Sequence, residues 1–321
     1  MAGPSWDHVG VVAVGSLPPV FSPRALVTQW SLDPIALVLI VLAGALYWLG
    51  LRRIRGTRPA FPRDRVAAFY GGLAVCVLAL LSPIDTYGSV SFAVHMIQHL
   101  LLVLAAAPLF ALGTPITLLL RAVTPRTRKR VVLPVLQSAP VSLLTRPVVA
   151  FLLFAVVQYA THFTGFYNLA ENHASVHALE HGLYLFSGVL FWWPVVGLDP
   201  VPHKLSFPAR ILYVVLAMPL MAFLGVAVLS APSPLYAHYA HLPLPWGGPN
   251  ALNDQNNAGT FMWEIGGIAS LIAVLFVAAA WFRHDEARQR RIEEDIDRAA
   301  ALEAASGPTA PAGRAGPRRP P

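Results

Sequence analysis

The stretch VSFAVHMIQHLLLVLAAAPLFAL, residues 90–112, decides the fold: it contains no Asp, Glu, Lys or Arg, yet it carries two histidines, His95 and His99. A helix needs about 20 predominantly apolar residues to cross the hydrocarbon layer of a bilayer. This run is long enough, and it is apolar on every face instead of alternating as a membrane barrel strand would. Working outward, six further runs share its character, at residues 33–51, 66–81, 147–161, 173–196, 211–230 and 259–282. The composition agrees, with 56% hydrophobic and only 12% charged residues in the 321-residue chain, where a soluble domain carries about a quarter charged. The expected fold is therefore all-α, a polytopic membrane protein of seven transmembrane helices.

The charges orient it. Between the first two runs lie Arg52, Arg53, Arg55, Arg58, Arg63 and Arg65, and between the third and fourth lie Arg121, Arg126, Arg128, Lys129, Arg130 and Arg146. Lys204 and Arg210 join the fifth run to the sixth, and the remaining arginines follow Phe282. Every Lys and Arg except Arg24 thus falls on one side, which is the positive-inside pattern. The prediction is an external N-terminal segment at 1–31, a membrane domain at 32–284 and a cytoplasmic tail at 285–321. The net charge of +7 belongs to this topology and not to nucleic acid. No cleavable signal peptide is evident: residues 1–30 lack a basic start, and the apolar piece at 9–14 is short. The lone Cys76 excludes an internal disulfide and a CxxC site, and it reads as a small buried hydrophobe. The external loop at 231–257 offers Trp246 as an interfacial anchor, and 131–144 reads as lying in the interface.

The histidines carry the chemistry. Every His except His203 and His284 falls on the external side. His95 and His99 are one helical turn apart and project from one face. His162 closes the fourth run, and the fifth opens with His173, His177 and His181, each a turn from the next, with Glu180 beside them. Asp254 and Gln255 precede the seventh run, with Met262 and Glu264 in its first turns. Ionisable groups in lipid-embedded helices cost a few kcal/mol each and must pair or bind something. Imidazoles paired on two helices suit copper, zinc or iron, and thioether sulfur from Met262, Met218 or Met221 selects cuprous copper. The candidate ligands are His95, His99, His162, His173, His177, His181 and Met262. Glu180, Asp254 and Glu264 stand behind them, the first two able to fix a ring's tautomer. His8, His203, His238, His241 and His284 read as structural, and Met218 and Met221 equally as packing.

The three segments HMIQHLLLVLAAAPLFALGTP, HFTGFYNLAENHASVHALEHGLYLFSGVLFWWP and NDQNNAGTFMWEIGG begin at His95, His162 and Asn253. Together they resemble the multi-pass CtaG family of cytochrome c oxidase assembly factors, which is distinct from the single-span copper chaperone sharing that name. The resemblance implies a non-enzymatic, multi-pass protein of the bacterial plasma membrane that helps mature a haem–copper oxidase. It implies copper as the metal, and an oxidase subunit or a copper chaperone as partner. An oxidoreductase using iron or haem is the alternative, since HxxxH with HxxEH has a likeness to the histidine boxes of membrane desaturases. A proton- or ion-coupled transporter ranks last, because the inner halves of the runs are almost purely apolar.

Overall fold

A computed structural model describes residues 17–200, 202–240, 242, 244 and 250–306. His8, His241, Trp246 and the Pro- and Arg-rich end beyond residue 306 lie outside the described residues. All seven apolar runs form helices, and no strand occurs among the described residues. The principal helices are α1 (Pro34–Arg53), α2 (Arg63–Leu80), α3 (Phe92–Leu100), α4 (Pro147–Phe163), α5 (Phe166–Asn172), α6 (Ala174–Val196), α7 (Phe207–Leu229) and α8 (Ala251–Ser306). The segment at 131–144 folds into two short helices, Leu133–Leu136 and Ala139–Leu144, with no buried residue.

By length and apolarity, four helical stretches are able to cross a membrane: Pro34–Arg53, Phe92–Ala122, Phe207–Leu229 and Ala251–Leu302. A fifth is added if α4 and α5, bent by 71° at the break between them, count as one. The other two long helices are more polar for a visible reason. α2 opens on Arg63, Asp64 and Arg65, and α6 carries His177, Glu180, His181 and Ser187. On α6 those polar residues are turned into the protein, with Glu180, His181 and Ser187 buried. On α1 the reverse holds, and Val38, Val41, Leu42 and Leu46 face outward. Such an apolar exterior around a polar interior is the signature of a membrane protein.

Local chemistry sets the helix ends. Asp33 caps α1 by accepting from the backbone N–H of Ile35 and Ala36, ahead of Pro34 at the first helical position. After Leu100, α3 widens into a π-helical stretch, Leu101–Ala106, before resuming as Ala107–Leu112. The Ala107 N–H there bonds to Leu102 O. In that register the Val103 carbonyl would look to residue 108, which is a proline without an N–H. Trp192 of α6 supplies the missing donor, its Nε1 lying 2.8 Å from Val103 O. An unsatisfied carbonyl in an apolar interior is thereby avoided, and α3 is locked to α6. At the far end Asp199, just beyond α6, accepts from the N–H groups of Ile116 and Thr117 and so caps the following helix, Pro115–Ala122. Burial raises the Asp199 carboxyl, and the hydrogen bonds from Thr117 and Ile116 oppose that rise.

α7 and α8 meet at two glycines. A Cβ on Gly225 would stand 2.7 Å from Gly259 O, and one on Gly259 would stand 2.6 Å from Gly225 O. Only the bare backbone permits this approach, as at small-residue crossings in membranes generally. Met221 and Met262 lie one turn from these glycines and are carried inward with them. α8 begins at Ala251, earlier than the expected 259, so Asp254 and Gln255 belong to the helix and do not precede it.

The chain divides into two compact units, one ending at Val274 and the other beginning at Leu275. The second consists, among the described residues, of the end of α8, apolar from Leu275 to Phe282 and charged beyond it. There Arg298 pairs with Glu294 at 3.3 Å and Asp295 at 2.8 Å, on an exposed surface.

Candidate metal centre

The amino ends of α3 and α6 converge, which brings the two histidine pairs together. Ring centroids lie 4.4 Å apart for His95 and His99, 4.3 Å for His177 and His181, 5.3 Å for His95 and His177, and 5.6 Å for His99 and His181. One ligand atom from each of His95, His177 and His181 falls within a 4.8 Å set, and a second such set joins His95 and His177 to Glu171 and Glu180. Glu171 comes from α5. The break at Thr164 and Gly165 folds that helix back over the cluster, with Thr164 Oγ1 accepting from Phe166 N.

The hydrogen bonds assign protons. Tyr239 donates to Gly88 O at 2.8 Å, so it accepts at its 3.1 Å approach to His95 Nδ1. The Nδ1 hydrogen of His95 then points to Tyr239, while Glu171 Oε1, 3.2 Å from the same nitrogen, has no hydrogen-bond partner among the described residues. A ring nitrogen whose hydrogen is given to a hydroxyl in this way leaves the other nitrogen as a lone pair. That nitrogen, His95 Nε2, is 2.9 Å from His99 Nε2. His99 therefore carries its proton on Nε2, and its Nδ1, without a partner among the described residues, is bare. His177 Nε2, His181 Nε2 and both oxygens of Glu180 are likewise buried without hydrogen-bond partners among the described residues. Native interiors satisfy nearly all buried polar atoms, and a buried unpaired carboxylate costs on the order of several kcal/mol. A donor set of imidazole and carboxylate with so many unused lone pairs fits a cation.

Beside the cluster is a second feature, a cavity of about 10 Å³ lined by Met96, His99, Leu100, Val103, Gln158, His162, Tyr184, Met221 and Met262. All nine lining residues are buried. His162 Nδ1 lies 2.8 Å from Gln158 O, and its Nε2 lies 3.3 Å from Met96 Sδ. Tyr184 stacks on His99 with ring centroids 3.9 Å apart and reaches Thr161 Oγ1 at 2.7 Å.

Residues 45–284 match the family described as cytochrome c oxidase caa3 assembly factor (Caa3_CtaG). The chain belongs to this family. Among curated relatives, the uncharacterized protein ML1998 of Mycobacterium leprae is 30% identical over 266 residues, 80% of this chain and 40% of that protein. The uncharacterized protein Mb0105 of Mycobacterium bovis is 29% identical over 280 residues, 85% of this chain and 42% of that protein. The chain thus spans about two-fifths of the length of the curated relatives it matches. No solved structure matches it.

In this member of the caa3 assembly factor family, four of the expected ligands, His95, His99, His177 and His181, come together. His162 and Met262 join the adjacent cavity instead. His173 is exposed at the cap of α6, where its side chain makes no capping bond. Glu264 is exposed on α8. Asp254 fixes no ring: it accepts from Ser91 Oγ at 2.8 Å and Phe92 N at 2.6 Å, so it seats the start of the helix that carries His95. Glu180 faces the cluster, and among the described residues neither of its oxygens makes a hydrogen bond to a ring. Sequence reasoning missed Glu171, Tyr239, Met96 and Gln158, whereas His238, read as structural, bonds through Nε2 to Ser89 O at 2.9 Å. His238 Nε2 lies 3.6 Å from Glu171 Oε2 at the partly exposed rim. The signal for Glu171 was a carboxylate two residues before a histidine, which no periodicity could place.

Proposed function

We propose that this chain is a seven-span protein of the bacterial cell membrane, with its amino end outside and its carboxyl end in the cytoplasm. It takes part in assembling a haem–copper cytochrome c oxidase by binding or delivering copper through His95, His177 and His181. Family membership supports the oxidase. The partition of Lys and Arg supports the orientation, which puts the cluster at the outer face where extracytoplasmic copper arrives. What carries the metal reading is the set of buried, unpartnered atoms on His177, His181 and Glu180 beside His95. Copper is the cargo, and no bond-breaking chemistry is asked of the protein. His238 and Glu171, at the rim, form the way in, and an oxidase subunit or a copper chaperone stands on either side of the transfer.

A second reading has one specific observation in its favour. Glu171 and Glu180 make the set with His95 and His177 half carboxylate, a mixture that suits non-haem iron or zinc as well as cupric copper. Metal analysis decides between them. Protein purified without a His tag should hold near-stoichiometric copper, lost when His95, His99, His177 and His181 are all changed to Ala. Iron in its place would move the chain to the oxidoreductase reading. Copper content that ignores the substitutions would end the proposal.

A further inference from the structure

We infer that the cavity lined by Met96, Met221 and Met262 is a second metal station, a thioether site for a cuprous ion next to the histidine cluster, with His99 lining the cavity and hydrogen-bonded to His95 of the cluster. The chain has five methionines in all. Three of them, from α3, α7 and α8, surround this one cavity. Methionine packs well as a flexible filler, so convergence alone proves little. The hydrogen-bond arithmetic is more specific.

His162 Nδ1 is 2.8 Å from the carbonyl of Gln158, so the proton resides there and is donated. Its Nε2 is then a lone pair, 3.3 Å from Met96 Sδ. A bare nitrogen facing a sulfur has no hydrogen to share with it. A doubly protonated ring would instead bury an unpaired charge among thioethers, which is costly. His99 adds an unpartnered Nδ1, and Gln158 adds an unpartnered Oε1. Gln158 Nε2 lies 3.6 Å from Met221 Sδ, and the Tyr184 hydroxyl is engaged with Thr161 Oγ1 at 2.7 Å. The wall is thus rich in lone pairs and poor in hydrogens, and its free volume of about 10 Å³ admits a single small particle. Thioether sulfur with imidazole nitrogen is the donor set that selects Cu(I) over harder ions. The histidine cluster accepts either oxidation state, whereas this cavity accepts only the reduced ion. Transfer between them moves Cu(I) with no change of electron count.

This inference rests on the copper reading, and the two fail separately. The full chain in detergent is loaded with Ag(I), a redox-inert stand-in for Cu(I), and studied by X-ray absorption and by counting bound silver. Wild type should show sulfur scatterers together with nitrogen. A Met96→Leu, Met221→Leu, Met262→Leu variant should lose the sulfur signal and one silver per chain, and keep the nitrogen-bound one. A His177→Ala, His181→Ala variant should do the opposite. Sulfur absent from wild type, a measurement that needs no variant to fold, would reduce the cavity to packing or to a water site and leave the histidine cluster standing. Silver uptake untouched in the histidine variant but lost in the methionine variant would sink the cluster and spare the cavity.

Discussion

Glu180 concentrates the physics of the site into one side chain. It is fully buried, neither oxygen has a hydrogen-bond partner among the described residues, and its neighbours include imidazoles that also lack partners. Such a group destabilises the metal-free protein and stabilises the metal-bound one, since its lone pairs find their counterpart only in a cation. Glu180→Gln should therefore move two measurements in opposite directions. Without metal the melting temperature should hold or rise, because a neutral amide costs less to bury. Copper affinity, measured against a competing chelator, should fall by about 10- to 100-fold, the range typical of removing a group that supports a metal. Glu264→Gln, on the exposed face of α8, should change neither. A Glu180→Gln protein that melts earlier and binds copper normally would show the carboxylate to be structural.

At the scale of helices, what the sequence made legible was whatever repeats at 3.6 residues. The pairs His95/His99 and His177/His181 had to share faces, and those faces do meet. Whatever depends on how one helix turns against another stayed hidden. α5 reaches the cluster only because the chain breaks at Thr164 and Gly165 and bends by 71°, which brings Glu171 over His95. Tyr239 and His238 come from a four-residue helix, Ala237–Ala240, inside a stretch that reads as loop. Met96 looks like filler until His162 is seen beside its sulfur. Asp254 looks like a metal-site acid until its two backbone bonds to α3 are counted. The α7–α8 crossing is a further case, legible only once Gly225 and Gly259 face each other. Gly225→Ala would put a methyl 2.7 Å from a backbone carbonyl oxygen. Overpacking of this kind costs about 1–3 kcal/mol, so thermal stability in detergent should drop. The methionine cavity should suffer with it, because Met221 and Met262 flank the crossing. Gly267→Ala, with nothing within 4 Å of the added carbon, is the control and should be neutral or slightly stabilising, since alanine favours helix. Equal melting of the two variants would mean that the crossing tolerates separation.

For the whole molecule, the direction in which the helices cross decides which compartment the cluster serves. α3 and α6 both begin at the cluster, and their far ends meet where Asp199 holds Ile116 and Thr117. The basic segment from Arg121 to Arg130 follows directly from that far end. The cluster and this basic segment are thus separated by the length of a helix, and the orientation proposed above, with the basic end in the cytoplasm, is what the positive-inside rule leads one to expect. Labelling of single cysteines in intact cells reads this without a fusion. The native Cys76 is buried, so a membrane-impermeant maleimide should find little background. His173→Cys, at the exposed start of α6, should react in intact cells. Arg128→Cys, exposed in the basic segment, should react only once the membrane is opened. Reversal of the two would place the histidines in the cytoplasm, where reduced thiol-bound copper circulates. A site built without cysteine would then be poorly matched to its supply, because thiolate competes for cuprous ion more strongly than imidazole or thioether does.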